Sequence, residues 1–336
     1  MTGSVLEVKD LRTSFFTPDG EIPAVDGVKF HLKEGEILGI VGESGCGKSV
    51  TSLSIMGLVP AQNGKIVGGE ILFRNEDLTK VSAKRMREIR GNDIAMIYQE
   101  PMSSLNPVFT IGNQLMEAIR THAKMSKQEA LKMAVDILKR VGLPRAEELI
   151  HSYPHQLSGG MCQRVMIAMA LVCEPQVLIA DEPTTALDVT IQAQILDLMK
   201  KLNEELKTSI ILITHDLGVV AEVCDRVAVM YAGKIVEEGF VNDIFQLPKH
   251  PYTIGLIKSI PDVRFKKRKL YSIPGSVPKP GTLKQGCLFA PRCLHAFDRC
   301  HKATPEMVAA SPSHGVRCFL HASQEEGQYG GNLIKS

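Results

Sequence analysis

The run Gly42-Glu-Ser-Gly-Cys-Gly-Lys-Ser constrains this chain more than any other stretch. It has the spacing G-x-x-x-x-G-K-[ST] and follows Glu36-Ile-Leu-Gly-Ile-Val, a short apolar run with the character of a buried parallel strand. A glycine-rich turn between such a strand and a helix lets backbone N–H groups curl around phosphates, with the positive end of the helix dipole behind them. Gly42, Ser44, Gly45, Gly47 and Val50 fall in or beside that cradle, Lys48 brings a point charge to the β and γ phosphates, and Ser49 offers a hydroxyl to Mg²⁺. The loop alone implies nucleotide binding and no particular function.

Composition limits the alternatives. The 336 residues are 44% hydrophobic and 23% charged, which suits a globular protein with one large domain and a smaller one. A formal net charge of +2 provides no field for nucleic acid. The longest apolar run is nine residues, 165–173; a membrane span needs roughly 18. The start, Met1-Thr-Gly-Ser-Val-Leu-Glu-Val-Lys-Asp, lacks the basic and apolar regions of a signal peptide. The chain is therefore expected not to cross a bilayer by itself.

Along the chain, residues 5–16 alternate as a half-buried strand, Thr17-Pro-Asp-Gly signals a turn, and residues 24–32 are strand-like again. Residues 111–150 carry helical spacing, which predicts a helical insert. Apolar strands recur at 177–180 and 210–214, each followed by a helical pattern. The fold class is α/β, with a mostly parallel sheet.

The strand at 177–180 ends in Asp181-Glu182-Pro, which puts two carboxylates where ligands bind in open α/β sheets. Asp181 is placed to hold the Mg²⁺ shell and Glu182 to polarise an attacking water. Between the two halves of this site lies Leu157-Ser-Gly-Gly-Met-Cys-Gln-Arg, ahead of an apolar helical pattern. In isolation Ser158, Gly159 and Gly160 read as a plain helix-capping turn, and a second anion cradle is the alternative. One γ-phosphate does not need two cradles from one chain, so the second would serve a nucleotide held by another subunit.

Leu157-Ser-Gly-Gly-Met resembles the signature motif of ABC ATPases, and the other family motifs follow in order. Gln99 in Ile97-Tyr-Gln-Glu-Pro matches the glutamine loop, which in the family senses Mg²⁺ and contacts the membrane partner. Asp188 matches the dimer-contact loop, His215 in Ile213-Thr-His-Asp matches the switch histidine on the γ-phosphate, and Phe15 matches the aromatic that stacks on adenine, with Phe16 adjacent. Cys46 and Cys162 depart from the usual residues without removing a catalytic group; plain packing explains both. The resemblance implies a P-loop ABC ATPase core with an antiparallel β subdomain and a helical subdomain at about residues 100–160, together spanning 1–247.

The loop Gln99-Glu-Pro-Met-Ser-Ser-Leu-Asn-Pro resembles that of ATPase subunits for oligopeptide, dipeptide and nickel import. So do His250-Pro-Tyr-Thr, Ile273-Pro-Gly-Ser-Val-Pro and Gly286-Cys-Leu-Phe-Ala-Pro-Arg-Cys in a C-terminal extension, residues 248–322. This implies an ATP-hydrolysing subunit on the cytoplasmic face of the cell membrane. Its partners would be a second, paralogous ATPase, two permeases and an extracytoplasmic binding protein that delivers peptides. Nickel import is the alternative within the branch, and a soluble non-transport ABC ATPase the alternative outside it.

Composition shifts after residue 247, where Pro248, Pro251, Pro261, Pro274, Pro278 and Pro280 break long elements. The run Lys266-Lys-Arg-Lys reads as a solvated loop, and residues 323–336 as a disordered tail. Cys287, Cys293, Cys300 and Cys318 crowd the extension with five, six and seventeen residues between them. In a reducing compartment that grouping reads as a metal or cluster site before disulfides. The spacings are wider than the C-x₂₋₄-C pairs of structural zinc, whereas thiolate spacing in iron–sulfur proteins varies more freely. A [4Fe–4S] cluster is therefore expected, with zinc or unligated thiols as alternatives; members of the resembling branch carry a cysteine cluster here.

Overall fold

In a computed structural model, residues 3–99, 104–185, 188–260, 271–278, 281–282 and 285–322 are described. The basic run at 266–269, residues 100–103 of the glutamine loop, Pro261, Pro280 and the 323–336 tail lie outside them.

The chain opens with two long strands, β1 (Ser4–Thr17) and β2 (Gly20–Lys33), joined by a two-residue turn at Pro18-Asp19 and paired antiparallel from Thr17↔Gly20 to Ser4↔Lys33. The other side of β1 pairs with β4 (Gly64–Phe73), and β4 with the short β5 (Glu76–Asp77), giving a four-stranded antiparallel sheet. Between β2 and β4 runs β3 (Ile37–Val41), buried at all five positions, which feeds the helix Lys48–Ile55.

The main sheet continues with β6 (Ile94–Ile97), β7 (Val177–Asp181), β8 (Ser209–Thr214), β9 (Arg226–Tyr231), β10 (Lys234–Phe240), β11 (Val308–Ser311) and β12 (His314–Val316). Its order is β11-β12-β10-β9-β3-β8-β7-β6. The pairs from β6 to β9 are parallel, and those from β9 through β10 and β12 to β11 are antiparallel. The strands β7, β8 and β9 are buried along their whole length, which is why they read as continuous apolar runs rather than alternating ones. The last two strands come from the C-terminal extension: Glu237 and Glu238 of β10 pair with Val316 and Gly315 of β12, so the extension lengthens the core sheet.

Helices Ile111–His122, Lys127–Arg140, Ala146–Leu149 and Gly159–Leu171 form the insert between β6 and β7. Thr110 caps the first of them, and Ser126 with Glu129 builds a capping box on the second. Leu115, Ile119, Ala134, Leu138, Val165 and Ile167 pack into one core with Leu178 and Leu212 of the main sheet. Among the described residues no helix is long and apolar enough to cross a membrane.

Candidate functional site

β3 delivers the phosphate loop. A Cβ at Gly42 would lie 2.1 Å from the Met230 carbonyl oxygen, and one at Gly47 (φ +106°) 2.5 Å from that of Ala24, so both positions require glycine. Gly47 starts the helix Lys48–Ile55 without a side-chain cap, which leaves the first N–H groups free of side-chain competitors. Lys48 is buried, and its Nζ donates to the carbonyls of Gly42 at 2.7 Å and Glu43 at 3.2 Å. The cation is thus held by its own loop, pointing back over the turn that it would neutralise with a bound anion.

β7 and β8 bring the remaining groups. Ser49 Oγ donates to Asp181 Oδ1 at 3.2 Å. Burial pushes the Asp181 carboxyl above its ordinary range; the Ser49 hydrogen bond opposes this, and the nearby Glu182 charge adds to it. Glu182 stands in the left-handed region at φ +49°, with its N–H donating to the Ile213 carbonyl at 2.9 Å. Its Oε2 accepts from Thr185 Oγ1 at 2.9 Å and Gln99 Nε2 at 3.2 Å, and lies 3.3 Å from His215 Nδ1. Lys48, Ser49, Gln99, Glu182 and His215, with Ser44, Gly45, Gly47 and Val50, line one cleft of about 490 Å³. Its size and mixture of a cation, N–H donors, carboxylates and an imidazole suit a nucleotide polyphosphate and hydrolytic chemistry on it.

Other residues read from the sequence lie elsewhere. Phe15 is half-buried on β1, with its ring against Gly64, and is not among the cleft-lining residues; Ala24 is the residue of the antiparallel sheet that reaches the cleft. Ser158 caps the helix Gly159–Leu171 through a 3.4 Å bond from the Met161 N–H, and Ser158 and Gly159 are exposed outside the cleft. Asp188 caps the helix Val189–Leu206, accepting from the Ile191 N–H at 2.9 Å, and is also exposed. Cys46 and Cys162 are fully buried and burial raises both thiols, which fits packing rather than reactivity.

Sequence reasoning passed over several groups around the site. Gln163, buried in the apolar helix Gly159–Leu171, donates to the Pro183 carbonyl and so ties that helix to the segment carrying Glu182. Glu43, Tyr252 and Arg292 form a second contact to the phosphate loop, across more than 200 residues of sequence, and no local pattern marks it.

In the extension, Cys287, Cys293, Cys300 and Cys318 line one small apolar cavity of about 20 Å³ with Phe289 and Phe319. Burial, reinforced by the other cysteines, raises the thiols of Cys287 and Cys293 and pushes that of Cys318 up to about 12. Among the described residues no group of three or more His, Cys, Asp or Glu side chains is arranged to hold a metal ion.

A family model described as "ABC transporter" matches residues 25–185, and one described as "Oligopeptide/dipeptide transporter, C-terminal region" matches residues 236–300, which includes every extension cysteine except Cys318. The oligopeptide transport ATP-binding protein AppD of Bacillus subtilis is 55% identical over 324 residues, covering 96% of this chain and 98% of that protein. The dipeptide transport ATP-binding protein DppD of the same organism is 54% identical over 322 residues, covering 96% of each. Among solved structures, the ATP-binding cassette MJ0796, a dimer in a post-hydrolysis state bound to ADP and Pi, is 31% identical with a TM-score of 0.63, covering 70% of this chain and 98% of its own. Cleft, fold and relatives agree: the chain belongs to the ABC transporter ATP-binding proteins, in the group that carries the oligopeptide/dipeptide transporter C-terminal region.

Proposed function

We propose that this chain is the ATP-hydrolysing subunit of a binding-protein-dependent peptide importer. The carrying observation is a divided site. Lys48, Ser49, Gln99, Glu182 and His215 converge on one cleft, with Asp181 bonded to Ser49, while the cradle of Ser158, Gly159 and Gly160 lies outside it, its first two residues exposed and Gly160 half-buried. Peptide cargo is supported by the names of the relatives and by the C-terminal region they share.

Lys48 exchanges the Gly42 and Glu43 carbonyls for the β and γ phosphates of ATP, a charge-assisted replacement. Ser49 and Asp181 would hold Mg²⁺, which when bound would offset phosphate charge; the buried Asp181 carboxylate is a group that such a cation would stabilise. Glu182 Oε2 takes the proton of the attacking water, while Gln99 and His215, within 3.3 Å of that oxygen, orient water and γ-phosphate. Phe15, beside rather than within the cleft lining, is the aromatic proposed to meet the adenine. Ser158, Gly159 and Gly160 serve the ATP of a second, paralogous ATPase subunit, and Asp188 meets that subunit. ATP closes the pair and hydrolysis reopens it.

The permeases dock beside Gln99, where Tyr98, Val108 and Phe109 leave large apolar surface exposed. The protein then sits peripherally on the cytoplasmic face of the membrane, residues 1–247 serving as the ATPase and 248–322 as the extension. Competition decides cargo: unlabelled di- and oligopeptides should displace labelled peptide from ATP-driven uptake and Ni²⁺ should not. Displacement by Ni²⁺ alone would move the assignment to metal import.

The four extension cysteines are proposed to ligate a [4Fe–4S] cluster. Four thiols line one apolar cavity, with His250 and His295 beside them and no carboxylate among the lining residues, a donor set rich in the thiolates such a cluster takes. When bound, the cluster supplies cross-linking to an extension poor in apolar core.

A further inference from the structure

Glu43 is the second residue of the phosphate loop and its one carboxylate. Side by side with an anion site, that charge opposes the ligand unless something neutralises it. Arg292 does so from the extension: Nη1 donates to Glu43 Oε2 at 2.7 Å and Nη2 to Oε1 at 3.0 Å, a bidentate pair. The guanidinium is itself fixed. Its side chain is 4% exposed, Nε donates to the Pro274 carbonyl at 2.7 Å, and the rings of Tyr231 and Phe289 flank it at 5.8 and 6.0 Å. The Glu43 backbone is held from the same side, its N–H donating to Tyr252 Oη at 2.9 Å. Tyr252 is fully buried, edge-on to Tyr231 with ring centroids 4.6 Å apart. The Glu43 carbonyl, in turn, is one of the two carbonyls holding Lys48.

We propose that Arg292 and Tyr252 are positioning residues for the ATP site: they clamp Glu43 by side chain and backbone, cancel its charge and set the carbonyl that parks Lys48. The extension is then part of the nucleotide-binding machinery. This rests on the reading of the cleft as an ATP site. It also links the cysteine cavity to that site, because Arg292 ends the turn Ala290–Arg292 directly before Cys293.

The test uses the full chain, with equilibrium ATP binding, and the assembled transporter, with KM and kcat for ATP. Arg292→Ala should weaken ATP binding and raise KM by about tenfold, the scale of losing a partner to a charged group, while kcat stays within about twofold. Arg292→Ala/Glu43→Gln should recover most of the loss, since no unpaired carboxylate remains. Tyr252→Phe keeps the packing and should raise KM several-fold; it carries the test if Arg292→Ala does not fold. An unrescued double variant would mean that Arg292 acts only by supporting the Pro274 carbonyl, and overturns the inference, as would parent-like binding by both Arg292→Ala and Tyr252→Phe. Failure of the parent itself to bind ATP would instead overturn the site reading on which the inference stands.

Discussion

Glu182 Oε2 lies 3.3 Å from His215 Nδ1, although the two residues come from the ends of different strands, β7 and β8. Their approach is fixed by the parallel register that pairs Asp181 with Ile213 and by the bond from the Glu182 N–H to the Ile213 carbonyl. The left-handed backbone at Glu182 costs on the order of 1–3 kcal/mol and persists because those bonds over-determine it. Strain of that kind lies where a carboxylate meets an imidazole and an amide, the end of the cleft where Glu182 is proposed to act as base.

Glu182→Gln should keep ATP binding and lower turnover by about 10² or more, since general-base catalysis is commonly worth 10²–10⁴-fold. ATP hydrolysis by the assembled transporter at close to the parent rate would remove Glu182 from that role.

Ser158→Arg should leave ATP binding by the isolated chain intact and abolish ATP-driven dimerisation, because the cradle is exposed away from its own cleft. Light scattering with and without ATP reads the second quantity. A monomer that no longer binds ATP would place the cradle in its own site.

How much of this was legible in the sequence follows the range of the interactions. The phosphate loop, the Asp181-Glu182 strand end and the capped helix after Ser158 are set by neighbours within a few residues, and their patterns survive in one dimension. The hairpin of β11 and β12 does not, because its stability comes from pairing with β10, some 77 residues away as Glu237 and His314 make contact. The Arg292–Glu43 pair, 249 residues apart, is invisible for the same reason. An extension that read as an appendix is, in three dimensions, the edge of the core sheet and a wall behind the phosphate loop.

His250 connects that edge to the core and predicts a pH dependence. Its Nδ1 accepts the Tyr252 N–H at 3.1 Å, so the folded protein keeps the ring neutral. Burial pulls its pKa down to about 4, opposed by Glu237 and aided by His321. The unfolded chain takes up that proton near 6.5, so this stabilisation is complete above about pH 6.5 and lost as pH falls toward 4, by up to about 3 kcal/mol. Glu237, whose carboxyl is lowered despite burial by bonds from His314 and the Lys249 and His250 N–H groups, adds a loss of the same sign at lower pH. His250→Asn, whose side chain can still accept the Tyr252 N–H, should flatten the fall in melting temperature between pH 7 and 5. Parallel curves for parent and variant would contradict this.

Chain purified without oxygen should be brown and hold about four iron and four sulfide per chain, the content of one cubane cluster. Cys300→Ser should lose that iron and, through Arg292, raise the KM for ATP as well. Colourless protein with one zinc or no metal would rule the cluster out.

The most direct test of the central claim is uptake by proteoliposomes containing this chain, its permeases and the binding protein. The account predicts accumulation of labelled di- or oligopeptide that requires ATP on the side of this subunit and stops with Lys48→Ala, with ATP hydrolysis rising when peptide-loaded binding protein is added. Peptide accumulation that continues unchanged with Lys48→Ala, or hydrolysis by the complete complex that drives no peptide uptake, would contradict it.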